Sequence, residues 1–295
     1  VDSVVYVFVM SLLIWIIVFF LDFKTVTKWL LVMVFFSFSY VLAAVLARAN
    51  WVEVLTQTVI PSISLNLGFF AAATALLGTT IAPYLFFWES GEEVESKEPK
   101  RMRLSRARHE DRIVAPGFIV SNIISLFIMI AAATVLFKNG ITDIKDATAA
   151  AEALVPFAGP YAKLLFAIGI LGAGFLAVPV LATTTAYAIA ETFGWKDSLS
   201  DKVSKAKGFY TVIGISILVG IFISAFGIDP IRALFYSQVL TGILTPFLLF
   251  LILLLCNNKK VMGAYTNKWF DNTFGILAFL AMAGSSIGLF WQFFS

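Results

Sequence analysis

Residues 65–88 read LNLGFFAAATALLGTTIAPYLFFW, an apolar stretch long enough to cross a bilayer, broken in its middle by the polar and helix-disrupting run Gly78-Thr79-Thr80-Ile81-Ala82-Pro83. Hydrocarbon supplies no hydrogen-bond partner. Each unpaired backbone N–H or C=O there costs several kcal/mol, and irregular backbone survives at membrane depth only where protein covers it or a polar cavity meets it. Gly78 loosens the turn and Thr79 and Thr80 offer hydroxyls. Pro83 removes one donor and so frees the carbonyl one turn earlier. The break is expected to run from Gly78 to Pro83, with helix over Leu65 to Leu77 and again from Tyr84 to at least Trp88. Broken helices of this kind hold substrate in secondary transporters.

The remainder of the chain has the same solvent. Of its 295 residues 60% are hydrophobic and only 13% charged, which excludes a water-facing globular surface. Apolar residues run continuously rather than alternately, so a transmembrane β-barrel is excluded as well. The fold class is all-α, a polytopic transmembrane bundle. Eight spans are predicted, near 3–21, 27–47, 65–88, 113–137, 160–190, 208–227, 231–256 and 270–294.

Lys and Arg fix the expected orientation. The alternate loops 21–28, 89–112, 194–207 and 257–269 hold 16 of the 21, and the opposite loops hold only Arg48, Lys138, Lys145, Lys163 and Arg232. The first set is therefore expected to be cytoplasmic, in a multi-pass protein of the cell membrane, with both chain ends outside. The basic run 97–112 reads as a cytoplasmic anchor, and no nucleic-acid partner is expected. Cys256 is the only cysteine, which forbids an intrachain disulfide, and the only histidine, His109, sits among charges in a cytoplasmic loop. The chain begins at Val1 without an initiator Met, a charged n-region or a cleavage site, so an upstream segment is expected.

Smaller signals fall between the spans. The first two spans read as an antiparallel pair, followed by a short outer segment containing Trp51 and Glu53. ESGEEVE, after the broken span, can prolong its helix toward Pro99. Ser121, Asn122 and Ser125 share one face of the fourth span and serve as polar contacts to neighbours. Residues 141–155 suggest a short amphipathic helix, with Thr142 or Asp143 as N-cap, forming a lid or collar. Pro179 is expected to kink the long run 160–193. There Thr183, Thr184 and Thr185 either back-bond to their own helix or face a cavity. Gln238 lies about two turns into its span, which Pro246 interrupts. Its amide either bonds a neighbouring helix or meets a hydrophilic ligand. The spans contain no Asp, Glu, Lys, Arg or His at membrane depth, the nearest being Glu89, Glu191, Asp229 and Arg232 at their ends. No catalytic set is offered, and an enzyme is not expected.

The stretch GTTIAPYLFFWESGEEVE closely resembles the sixth transmembrane segment of the Nramp divalent-metal transporters, in particular a prokaryotic branch reading GTTISPYLFFWQ. The Ser121-Asn122 pair, GITDI from 140, FAIGILGAGFLAVPVLA, GIDPIRALFYSQVL and a last helix near Trp269 follow in register. The resemblance implies a LeuT-like inverted-repeat fold, with the eight spans matching helices four to eleven and the first three absent. Residues 1–47 would then end the first repeat, 65–256 form the second, and 270–294 add a C-terminal helix. Neither 3–21 nor 27–47 contains a Pro or Gly to break it, so the pseudo-symmetric mate of the broken helix is expected upstream.

The resemblance further implies a divalent metal ion as substrate, with no resident cofactor, moved by alternating access across the lipid bilayer. It places a backbone-carbonyl ligand at Thr79, the family's Met at Ala82, its Pro at Pro83 and commonly a His at Tyr84, and it matches Gln238 to the Gln of helix ten. Thr80 adds a hydroxyl, and Gly78, Ala82, Pro83 and Tyr84 shape the site. A soft thioether favours transition metals over hard cations, so Ala82 weakens discrimination against Mg²⁺ or Ca²⁺. Tyr84 removes a titratable group and counts against coupling to protons as co-substrate. Mn²⁺ or Fe²⁺ is the family expectation. The alternatives are Mg²⁺, an amino acid or other organic solute on the same fold, and a non-transporting bundle or fragment.

Overall fold

The computed structural model describes the chain except residues 1–2, 21–31, 33, 35–37, 43, 61, 96–99, 143, 145–148, 153–154, 156–159, 197–198 and 200–202, and describes only the backbone of 3–7, 17–20, 92–95, 100–115, 160 and 162. The described elements are helical: α1 (Ser3–Phe20), α2 (Trp51–Val59), α3 (Leu67–Ile81), α4 (Pro83–Glu95), α5 (Lys100–Ala131), α6 (Pro160–Phe193), α7 (Lys207–Ala225), α8 (Pro230–Asn257), α9 (Lys259–Met262) and α10 (Trp269–Phe294), with short π and 3-10 turns after α5 and a 3-10 turn after α9. A further helical segment covers Phe38–Leu46.

Among the described residues, six spans are long and apolar enough to cross a membrane: Leu67–Gly91, Pro116–Asn139, Lys163–Phe193, Lys207–Ala225, Pro230–Asn257 and Trp269–Phe294. A seventh is reached if Phe38–Leu46 and Trp51–Val59 count together, and α1 occupies the place of the first expected span. Most of residues 27–37, within the second expected span, lie outside the described residues. The protein is a multi-pass, all-helical membrane protein.

The chain divides into two compact units. The first comprises Val1–Val59 and Phe87–Ile231. Its core is built where α6 packs on α7 and α1 on α7, around Ala186, Tyr187, Phe209 and Ile213, all 2% exposed or less. Rings do much of the filling, with Tyr187 and Phe209 edge-to-face at 4.9 Å. Small residues let helices approach. A Cβ on Gly169 of α6 would lie 2.6 Å from the Tyr40 ring, which packs edge-on against Phe166. α5 continues into a π turn at Ala132–Leu136 and a 3-10 turn at Phe137–Asn139, and Gly140 ends it at φ 73°. Left-handed backbone of this kind suits a glycine.

The second unit comprises Ile60–Phe86 and Arg232–Ser295. Asn66 opens α3 as N-cap, its side chain accepting from Phe69 N–H at 2.8 Å. α3 packs along α10, where the Phe70 ring occupies the space a side chain would need at Gly288. Asn257, near the end of α8, and Asn272 of α10 exchange side-chain hydrogen bonds of 2.7 and 2.8 Å, tying those two helix ends together.

Several expectations between the spans can be placed. ESGEEVE does prolong the broken span, as α4 runs to Glu95. Asn122 and Ser125 bond to the carbonyls of Phe118 and Ser121 within their own helix. Of the expected helix at 141–155, residues 149–152 are helical, while Asp143 and 145–148 lie outside the described residues. Thr142 is described but begins no helix there. The segment after Arg48, expected on the outer side, is itself a helix, α2. Asn50 caps it by accepting from Glu53 N–H at 3.4 Å, so the spacing Asn50-x-x-Glu53 was the signal available in the sequence.

Candidate functional site

The broken span differs from the sequence expectation in extent. Helix α3 runs through Gly78, Thr79 and Thr80 to Ile81, and α4 starts at Pro83, so the interruption is Ala82 alone. Ala82 takes the left-handed conformation, φ 42° and ψ 65°. The physical reason is economy. Ala82 N–H still reaches Gly78 O at 3.1 Å, closing the last turn of α3, and its own carbonyl already accepts from Leu85 N–H at 2.9 Å. Proline fits the first position of the new helix because its missing N–H would be unused there.

Proline nevertheless leaves a mark. The carbonyl of Thr79 would accept from residue 83 in a continuous helix, and Pro83 has no N–H to give. α8 contains the same chemistry with a different outcome. Pro246 withholds a donor from Gly242, and the Ser286 hydroxyl, from α10, donates to that carbonyl at 3.3 Å. One freed carbonyl is satisfied by a neighbouring helix. Among the described residues no side-chain donor does this for Thr79.

The same crossing sets the position of Gln238. A Cβ on Gly78 would fall 2.6 Å from Gly242 N and 2.7 Å from Gln238 O, and a Cβ on Gly242 would overlap the Thr74 carbonyl. α3 and α8 therefore touch backbone to backbone, antiparallel, as small residues permit in lipid-facing helices. Helical side chains lean toward the N-terminus of their helix, so on antiparallel α8 the Gln238 side chain leans toward the Ala82 end of α3. Its Oε1 is buried without a hydrogen-bond partner, and so is the hydroxyl of fully buried Thr74. An unpartnered buried acceptor is costly, roughly 1–3 kcal/mol, and calls for a donor, a water or a cation.

The other residues of the motif fall as follows. Ala82 and Pro83 are buried, Tyr84 is half-buried, and Thr79 and Thr80 are exposed. The Thr80 hydroxyl donates to Leu76 O at 2.7 Å, which leaves it lone pairs to offer but no free proton. The structure thus brings Gly78, Gln238 and the Ala82 break to one helix crossing. Thr183, Thr184 and Thr185 instead back-bond, at 2.7–3.0 Å, to carbonyls of α6. Among the described residues no three of His, Cys, Asp and Glu come together, so the donor set at the break is neutral oxygen.

The chain matches the family model described as natural resistance-associated macrophage protein-like, Nramp, over residues 1–292. Among its relatives, a divalent metal cation transporter MntH from Caldanaerobacter subterraneus is 28% identical over 244 residues, 82% of this chain and 55% of that protein. Proteins of the same name from Clostridium acetobutylicum and Bacillus subtilis are 26% and 27% identical, over 81% and 72% of this chain and 53% and 48% of their own lengths. The chain thus spans about half the length of the curated relatives it matches. With the interrupted sixth-segment motif folded as a helix break, and a match that runs nearly end to end, the chain belongs to the Nramp family, whose fold is LeuT-like.

Proposed function

We propose that the protein carrying this chain is a divalent metal cation transporter working by alternating access, with the ion held at the Ala82 break. The observation that carries the reading is the buried, unpartnered Oε1 of Gln238 on the helix that crosses α3 at Gly78, one turn before the break at which Pro83 withholds an N–H from the Thr79 carbonyl. Family membership and the names of its relatives support the ion class. Thr79 and Thr80 hydroxyl oxygens complete the donors this chain offers. All are neutral, so the double charge of the ion demands an anionic group from elsewhere in the protein. The basic loops 21–28, 89–112, 194–207 and 257–269 face the cytoplasm of a cell membrane in this reading.

Ala82 itself favours a second reading for the identity of the ion. The residue at the break has no sulfur, and carbonyl, hydroxyl, amide and retained water suit a hard octahedral cation such as Mg²⁺ as well as Mn²⁺. Competition separates the two. If Mn²⁺ or Fe²⁺ is the cargo, excess Mg²⁺ leaves Mn²⁺ uptake nearly unchanged, and if Mg²⁺ is the cargo it suppresses that uptake at comparable concentration. Labelled amino-acid uptake in place of either would reject metal transport altogether. Proton coupling, if present, runs through a group other than residue 84, where tyrosine supplies no titration near neutral pH.

A further inference from the structure

Helix α2 (Trp51–Val59) is amphipathic the wrong way round for a helix lying on a protein in water. Three of its apolar residues, Val52, Leu55 and Val59, are 72%, 65% and 78% exposed, while Val54 on the opposite side is half-buried, and none of its residues is buried. The three exposed residues fall within an arc of about 60° on the helix. Glu53, on the other side, is turned to the protein and pairs with Lys138 at the end of the α5 span. Trp51 contributes an edge contact to Phe127 of α5, at 6.1 Å between ring centroids.

We infer that α2 is an interfacial helix, laid along the boundary between headgroups and acyl chains with Val52, Leu55 and Val59 in lipid. Three further observations choose the lipid boundary over other occupants. First, α2 begins only four residues after the Phe38–Leu46 helix ends, too few to carry it far from the bilayer. Second, the two axes are bent by 117°, so α2 turns past the membrane plane and back toward the bilayer. A nine-residue helix is about 13 Å long, and a slope of this size lowers its far end by about 6 Å, within the depth of interfacial helices. Third, the preceding segment also exposes apolar side chains, with Leu42 and Val45 half exposed. The Glu53–Lys138 pair then sits at headgroup level, where charge is tolerated. α2 would anchor the ends of two spans to one leaflet.

Nitroxide labels at four single cysteines test this in the full protein carrying Cys256→Ser, reconstituted in phosphatidylcholine vesicles. Val52→Cys, Leu55→Cys and Val59→Cys should collide several-fold more with oxygen than with an aqueous nickel complex, and Gln57→Cys, on the opposite side of the helix, should show the reverse. Four independent sites keep the pattern readable if one variant is lost. Preferential nickel access at 52, 55 and 59 would place that face in water and overturn the proposal. Low access to both reagents with immobile labels would do the same by showing a protein partner there, and a depth well beyond 10 Å below the phosphates would make α2 re-entrant instead.

Discussion

Ala82 carries the largest local conformational demand in the described part of the second unit. An L-residue in the left-handed region costs roughly 1–2 kcal/mol more than glycine would, and Ala82 is held there, at φ 42°, between two helices. Ala82→Gly should therefore leave thermal stability in detergent unchanged or raise it by up to about 1 kcal/mol. Ala82→Val, β-branched, should lower it by more than that. A clear loss on Ala82→Gly would mean that the methyl group packs in a way that outweighs the backbone. The sequence made the break legible through Gly78 and Pro83 but not its size. Proline announces that a donor is missing, whereas the number of residues leaving the helix depends on whether the last N–H can still reach back. Here Ala82 N–H does, to Gly78 O.

At the scale of elements, α3 and α8 cross where Gly78 and Gly242 allow backbone contact. Gly242→Ala would drive a methyl into the Thr74 carbonyl, and overpacking of this kind costs about 1–3 kcal/mol. Gly284, on α10, has open space where its Cβ would go. Gly284→Ala should be neutral or slightly stabilising through helix propensity. Thermal unfolding of the two variants in one detergent checks the contrast, and equal losses would contradict the close crossing. The spans themselves were readable because a bilayer imposes length and apolarity at once. The expected 65–88, 208–227 and 231–256 correspond to Leu67–Gly91, Lys207–Ala225 and Pro230–Asn257. α2 escaped because nine residues carry no span signal, and its apolar residues look like loop residues unless their helical phase is followed from Asn50.

For the whole molecule the central statements concern direction and cargo. The partition of basic residues predicts that a cysteine at position 101 or 203, in a Cys256→Ser background, reacts with a membrane-impermeant reagent only from the cytoplasmic side. Labelling of either in intact cells would reverse the assigned orientation. The proposed cargo was suggested only by the sixth-segment motif, because composition and span count are shared by many membrane proteins. Gln238 shows the limit of physics alone, since its depth in the helix was equally consistent with a structural bond. Its Oε1 is buried with no partner among the described residues, and the proposed metal site rests on that. The most direct test is uptake of Mn²⁺ and Mg²⁺ into liposomes containing the natural protein that carries these 295 residues, compared with its Gln238→Leu variant at equal folded protein. Saturable uptake of one ion, reduced about tenfold or more by the substitution, is the predicted result, and uptake indifferent to Gln238→Leu would contradict the site.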